Sequence, residues 1–176
     1  GVLHLVGGGV DAGGVLGDRE HLAVAVEHPP AQAGDVDVGH LLGVGLGADP
    51  CDANQLKFVY EQNLEALPSM AIILGYPGPW HAHADTGITR SHVVHGEQGF
   101  TIHKKLPTEG AIVGLTKVAG VYDKGKDKGA LILTECTVRD KQSGETICTL
   151  TSTTFCRADG GFGGPDGPGK PQHAIP

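Results

Sequence analysis

"AIVGLTKVAGVYDKGKDKGALILTECTV", Ala111 to Val138, is the stretch on which the fold turns. Two runs rich in Val, Ile, Leu and Thr flank Asp123–Gly129, which is mostly glycine, lysine and aspartate. β-Branched residues suit a pleated, half-buried surface, and the glycines supply the backbone freedom of a hairpin turn. An antiparallel pair is predicted. Upstream, "EQGFTIHKKL" (Glu97–Leu106) reads as a further strand running to a turn at Pro107–Gly110. Downstream, "TICTLTSTTFCR" (Thr146–Arg157) follows a turn at Asp140–Gly144. There Cys148, Leu150 and Ser152 alternate with Ile147, Thr149 and Thr151, so one face is more apolar and a half-covered sheet is expected.

Ahead of the strands, "DANQLKFVYEQN" places Leu56, Val59 and Tyr60 at helical spacing beside Phe58, with Asp52 and Asn54 as candidate N-caps. Pro68 is expected to stop that helix. "SMAIILGYPGPW" is then a short apolar segment closing in a rigid Gly-Tyr-Pro-Gly-Pro loop. The fold class that follows is α+β: a long, curved antiparallel sheet around a short helix. The tail "ADGGFGGPDGPGKPQHAIP" is too rich in Gly and Pro for a regular element and reads as an ordered linker.

Bulk properties exclude several classes. At 176 residues the chain holds one core of ordinary size. Net charge is -7, and the 13 Lys and Arg form no long run, so a nucleic-acid surface is not expected. No apolar run approaches the ~18 residues of a membrane span, and the start does not resemble a signal peptide. Cys51, Cys136, Cys148 and Cys156 form no C-x-x-C pair and point to a reducing compartment without a disulfide scaffold. An opening Gly rather than Met suggests a fragment.

Residues 1–50 stand apart in composition. They use only ten residue types, and those ten are the types whose codons can all begin with G or C. Average composition makes such a run very improbable. Residues 1–40 are therefore expected to be disordered or translated from a wrong frame. "GGGVDAGGV" (Gly7–Val15) lacks phosphate-loop spacing, and His4, His21, His28 and His40 share no metal-ligand spacing.

From Leu41 onward a family resemblance emerges. "LGVGLGADP", "LKFVYEQNLEALPSM", "LGYPG", "DTGI", "VVHGEQGFTIHKKLP", "DKGKDKGAL" and "TSTTFCRADGGFGGP" occur in that order. Together they closely resemble the N-terminal half of (R)-specific enoyl-CoA hydratase 2, the MaoC-like hydratases found also in peroxisomal multifunctional enzymes. The resemblance implies a double hot-dog enzyme, of which 41–157 would be the N-terminal hot-dog and 158–176 the linker to a second. It implies hydration of trans-2-enoyl-CoA to (R)-3-hydroxyacyl-CoA in fatty-acid β-oxidation, without a cofactor. The family's catalytic Asp and His lie in a G-D-x-N-P-x-H stretch of the C-terminal half. Here Asp166 precedes Gly-Pro and no Asn-Pro-x-His follows, so no catalytic residue is assigned. The expected partners are an acyl-CoA and a C-terminal catalytic half, with a homodimer compatible. The expected location is cytoplasmic in a bacterium or peroxisomal in a eukaryote.

The resemblance also places substrate contacts at His95, Gly96 and Lys124. Gly lets a thin ligand approach the backbone, and a flexible ammonium suits a phosphate. The plain alternatives are a histidine orienting a turn and a solvated lysine, with Lys126 and Lys128 as equal competitors. Two other functions stay open: a non-catalytic acyl-binding or assembly subunit, and a hot-dog thioesterase in which Glu97, two residues from His95 in an extended run, shares its face. "HAHAD" (His81–Asp85) is read as a variable loop rather than a metal site. Tyr76, Trp80 and Phe162 are candidates for a tunnel wall, though aromatic residues are more often core.

Overall fold

The computed structural model describes the backbone of residues 2–6 and 23–31 and, with side chains, residues 43–46, 48–49, 51–60, 62–83 and 86–167. The Gly7–Val15 run, the side chains of the four early histidines, Asp85 and residues 168–176 lie outside what is described. The strands are β1 (Val2–Val6), β2 (Ala23–Ala31), β3 (Val93–Ile102), β4 (Gly110–Asp123), β5 (Ala130–Asp140) and β6 (Thr146–Cys156). They form one antiparallel sheet in the order β1-β2-β4-β5-β6-β3. The four strands read from the sequence are β3 to β6, except that β3 runs Val93–Ile102 rather than Glu97–Leu106: it begins before the His-Gly-Glu-Gln knot and ends four residues short of Leu106. Composition predicts no regular element before residue 41, whereas the backbone has β1 and β2 there. Val24 and Val26 alternate with Ala23 and Ala25, a strand-compatible run, and β4 offers a free edge for it to pair with.

Hairpin register follows from the turns. Gly125 and Gly129 both have positive φ between β4 and β5, as Gly144 does between β5 and β6. In the second turn, Asp140 Oδ1 accepts from the N–H groups of Gln142 and Ser143, an Asx arrangement that reverses the chain. Register breaks at His95/Glu97, Val118/Gly120 and Val138/Arg139 add local twist and bend the sheet.

The helix is shorter than its apolar spacing predicts. It spans Ala53–Leu56 (α1), capped by Asp52, whose Oδ1 accepts from the Asn54 N–H, and it buries no residue. The element seated on the sheet is instead a 3-10 segment, Pro68–Ile73, whose Ala71 is fully buried. Pro68 opens this turn rather than ending the earlier helix, because its fixed φ and missing N–H suit a first helical position. Ala71, Val138, Ile147, Cys148 and Leu150 make one buried cluster, with Met70 and Leu74 packed against it. A second cluster, Ala130, Ile132 and Cys156, gathers Val93, Val118 and Phe162 at the other end of the strands. Among the described residues, no helix is long and apolar enough to cross a membrane.

Candidate functional site

The strand register determines which side chains meet on the covered face. One row runs Thr134, Ser152, Gln98 across β5, β6 and β3; the next runs Thr116, Cys136, Leu150 across β4, β5 and β6. Beyond them, Thr154 pairs with His95. These two rows and that pair line a pocket of about 260 Å³, roofed by Ile72, the Gly75–Gly78 loop, Trp80 and His81.

Two glycines seat that roof. A Cβ at Gly114 would lie 2.5 Å from Gly75 Cα, and one at Gly75 would lie 3.0 Å from Gly114 Cα. The loop therefore rests on β4 backbone to backbone, with the Cys136 thiol donating to the Gly75 carbonyl at 3.7 Å. Positive φ at Gly75 and Gly78 turns the chain away again.

Polar groups are concentrated on the floor. Thr116 is 5% exposed, and its Oγ1 is buried without a hydrogen-bond partner of normal geometry. Thr134 is 9% exposed and donates only at 3.5 Å, to the Ser152 carbonyl. Burial raises the Cys136 pKa, with the Thr116 hydroxyl partly offsetting the rise, so Cys136 is no thiolate nucleophile. Burial likewise pushes Cys148 and Cys156 up to about 11. His81 is held below its ordinary value, first by burial and then by the Arg90 charge, which favours a neutral ring at the roof.

The His-Gly-Glu-Gln knot is a β-bulge. His95 pairs with Thr154 and Glu97 with Thr153, which leaves Gly96 as the extra residue. A Cβ there would stand 3.0 Å from the Thr153 carbonyl. Thr154 and Thr153 are adjacent in β6 and face opposite ways, so their partners do too: His95 joins the pocket and Glu97 does not. This corrects the expectation that the two share a face, and removes the geometry a His95–Glu97 acid–base pair needs.

Lys124 does not line the pocket. Its Nζ donates to the Asp166 carbonyl and, at 3.1 Å, to Asp166 Oδ1, tying the tail to the β4–β5 turn. Beside it is a residue that sequence reading passed over. Asp123 Oδ1 accepts from the N–H groups of Gly125 (2.8 Å) and Gly161 (2.7 Å), and Oδ2 from that of Gly163 (2.6 Å). Those backbone donors, Gly161 first and Gly125 next, hold the carboxyl below its usual pKa. An acid just before a glycine turn, with a glycine-rich tail downstream, was the available signal. Asp159 anchors the same tail by accepting from Thr89 Oγ1 at 2.6 Å.

Of the proposed tunnel aromatics, Tyr76 and Trp80 line the pocket and Phe162 does not; Trp80 and Phe162 both pack against Ala130, Ile132 and Cys156. His81 is at the pocket, and among the described residues no three metal-ligating side chains converge.

Comparison with known proteins agrees with this architecture. The family model for the MFE-2 hydratase 2 N-terminal domain matches residues 37–158. The chain is 37% identical over 144 residues to the "Probable enoyl-CoA hydratase 2" of Dictyostelium discoideum, covering 77% of this chain and 47% of that relative. Full-length peroxisomal multifunctional enzyme type 2 from Drosophila melanogaster superposes with a TM-score of 0.59 at 29% identity, over 80% of this chain and 24% of that one. A MaoC-like dehydratase from Phytophthora capsici superposes at 0.66 with 23% identity, over 89% and 54%, a likeness of fold alone. The curved sheet is thus the hot-dog fold. The chain spans about half the length of the curated relative it matches.

Proposed function

We propose, because this chain belongs to the family of MFE-2 hydratase 2 N-terminal domains, that it is the acyl-holding half of an enoyl-CoA hydratase. The observation that carries this reading is the pocket itself: a space of about 260 Å³ between sheet and roof, with His95 among its lining. The bulge residue Gly96 keeps the neighbouring backbone bare, which suits a chain threading past.

In this reading the acyl part of a trans-2-enoyl-CoA lies under Trp80, and the partner is a second hot-dog unit bearing the G-D-x-N-P-x-H stretch. That unit holds the water and moves the protons, and this chain orients the thioester. In this reading 158–176 is the linker to that unit, and the described part of it, up to 167, is held by Asp123 and Lys124. Much of residues 1–40, ahead of the family match that begins at 37, is read as a segment of wrong reading frame, tested by translating the other frames of the same DNA. Lys124 reaches the CoA portion only by releasing Asp166, so His95 and Gly96 are the stronger contacts. The free thiols fit a reducing compartment, peroxisomal or cytoplasmic.

The test is reconstitution. The 176-residue chain is titrated with a trans-2-enoyl-CoA, then mixed with a separately produced second unit, and hydration is followed. Binding by the chain alone and hydration only in the mixture are expected. No binding would overturn the acyl-site reading, and hydration by the chain alone would overturn the division of labour.

A further inference from the structure

The pocket floor is polar where a plain alkyl chain would be best served by hydrocarbon. Thr116 lies 95% buried, and its Oγ1 has no hydrogen-bond partner of normal geometry, the weakly polar Cys136 thiol being its neighbour. Thr134, one row away, donates at 3.5 Å to the Ser152 carbonyl and accepts no bond among the described residues. Gln98 extends that row to the sheet edge.

Packing does not account for the hydroxyl at 116. Valine has nearly the same shape and the same β-branched fit to a strand, without a buried polar atom left unpaired. Buried polar groups are almost always hydrogen-bonded, so an orphan facing a cavity marks a place where water or ligand supplies the partner. A pocket closed by Trp80 and Leu150 but floored with hydroxyls suits a slim chain with an oxygen at one point.

We infer that this pocket selects acyl thioesters whose chain carries a hydroxyl or carbonyl oxygen beyond the reacting carbons, over alkyl chains of equal length. Thr116 is the specificity residue and Thr134 its support. The inference rests on the acyl-site reading above. The same hydrogen-bonding chemistry is present in the pantetheine arm of CoA, so the test must tell the two apart.

Calorimetric titrations of the full 176-residue chain use octanoyl-CoA, octanoyl-CoA esters hydroxylated at successive positions beyond C3, and CoA itself. One hydroxylated ester is expected to bind about tenfold tighter than octanoyl-CoA, the difference one hydrogen bond makes in a buried site. Thr116→Val, which keeps the shape, is expected to abolish that preference, and Thr134→Val to reduce it. If wild-type protein binds no ester, the acyl-site reading itself falls. If every ester binds equally and Thr116→Val changes nothing, the acyl site stands and the selectivity is overturned. A loss of CoA binding in Thr116→Val would give the hydroxyl to the pantetheine arm and overturn the proposal equally.

Discussion

Strand β4 buries two polar side chains, Thr116 near its middle and Asp123 at its end, and the fold treats them oppositely. Asp123 is 8% exposed and accepts from three backbone N–H groups. Thr116 is buried more deeply, and its Oγ1 has no partner of normal geometry, only the Cys136 thiol beside it. A buried polar group with every partner supplied by its own chain is a structural joint. One with none, facing a cavity, is kept for something outside the chain. The tail end of the sheet is built to stay shut, and the pocket end is built to be completed.

The largest effect is expected from breaking the joint. Asp123→Asn removes the charge and leaves an amide facing one of the glycine N–H groups, so proteolysis within 160–167 should accelerate by about tenfold or more. Its pH dependence sharpens the point. Asp123 titrates below its unfolded value, so its stabilisation is present above pH ~4 and lost as pH falls through the lower folded pKa. Denaturation midpoints should fall in that window for the wild type and less steeply for Asp123→Asn. Asp140, held low by Ser143 and Gln142, remains as the residual acid sensitivity.

Next comes the roof. Gly114→Ala forces a methyl against Gly75 and should cost about 1–3 kcal/mol in urea unfolding, with weaker ligand binding as the Gly75–Gly78 loop lifts. A smaller change of opposite sign is expected at the orphan hydroxyl. Thr116→Val should stabilise the ligand-free protein by about 1 kcal/mol, and a loss of stability would mean the hydroxyl has an internal partner after all. Glu97→Gln lies across the sheet from the pocket and should shift stability by no more than about 0.5 kcal/mol, with acyl-CoA affinity unchanged. A large loss of affinity there would return Glu97 to the site.

Much of the fold was legible in local chemistry. The β-branched runs gave β3 to β6, and Asp140, Gly125, Gly129 and Gly144 mark turns whose conformations few other residues adopt. The four-residue helix was over-read, because Leu56, Val59 and Tyr60 have helical spacing but nothing in the fold buries that face. Only part of the site was visible. His95, which lines the pocket, was singled out through family resemblance, whereas Thr116, Thr134 and Gln98 look in sequence like ordinary strand residues and became a floor only through cross-strand register.

Which residues form strands, where the chain reverses and that it belongs to the hydratase family were determined by the sequence alone, since propensity, turn chemistry and motif are local. Which way each side chain faces was decided by the tertiary structure. A single extra residue at Gly96, accommodated against the carbonyl of Thr153 in another strand, sends His95 into the pocket and Glu97 out of it. Likewise Lys124 was free to be a phosphate contact until the folded tail brought Asp166 to it. Strand facing has a period of two, so one bulge inverts everything beyond it, and a tail's docking depends on donors far away in the chain.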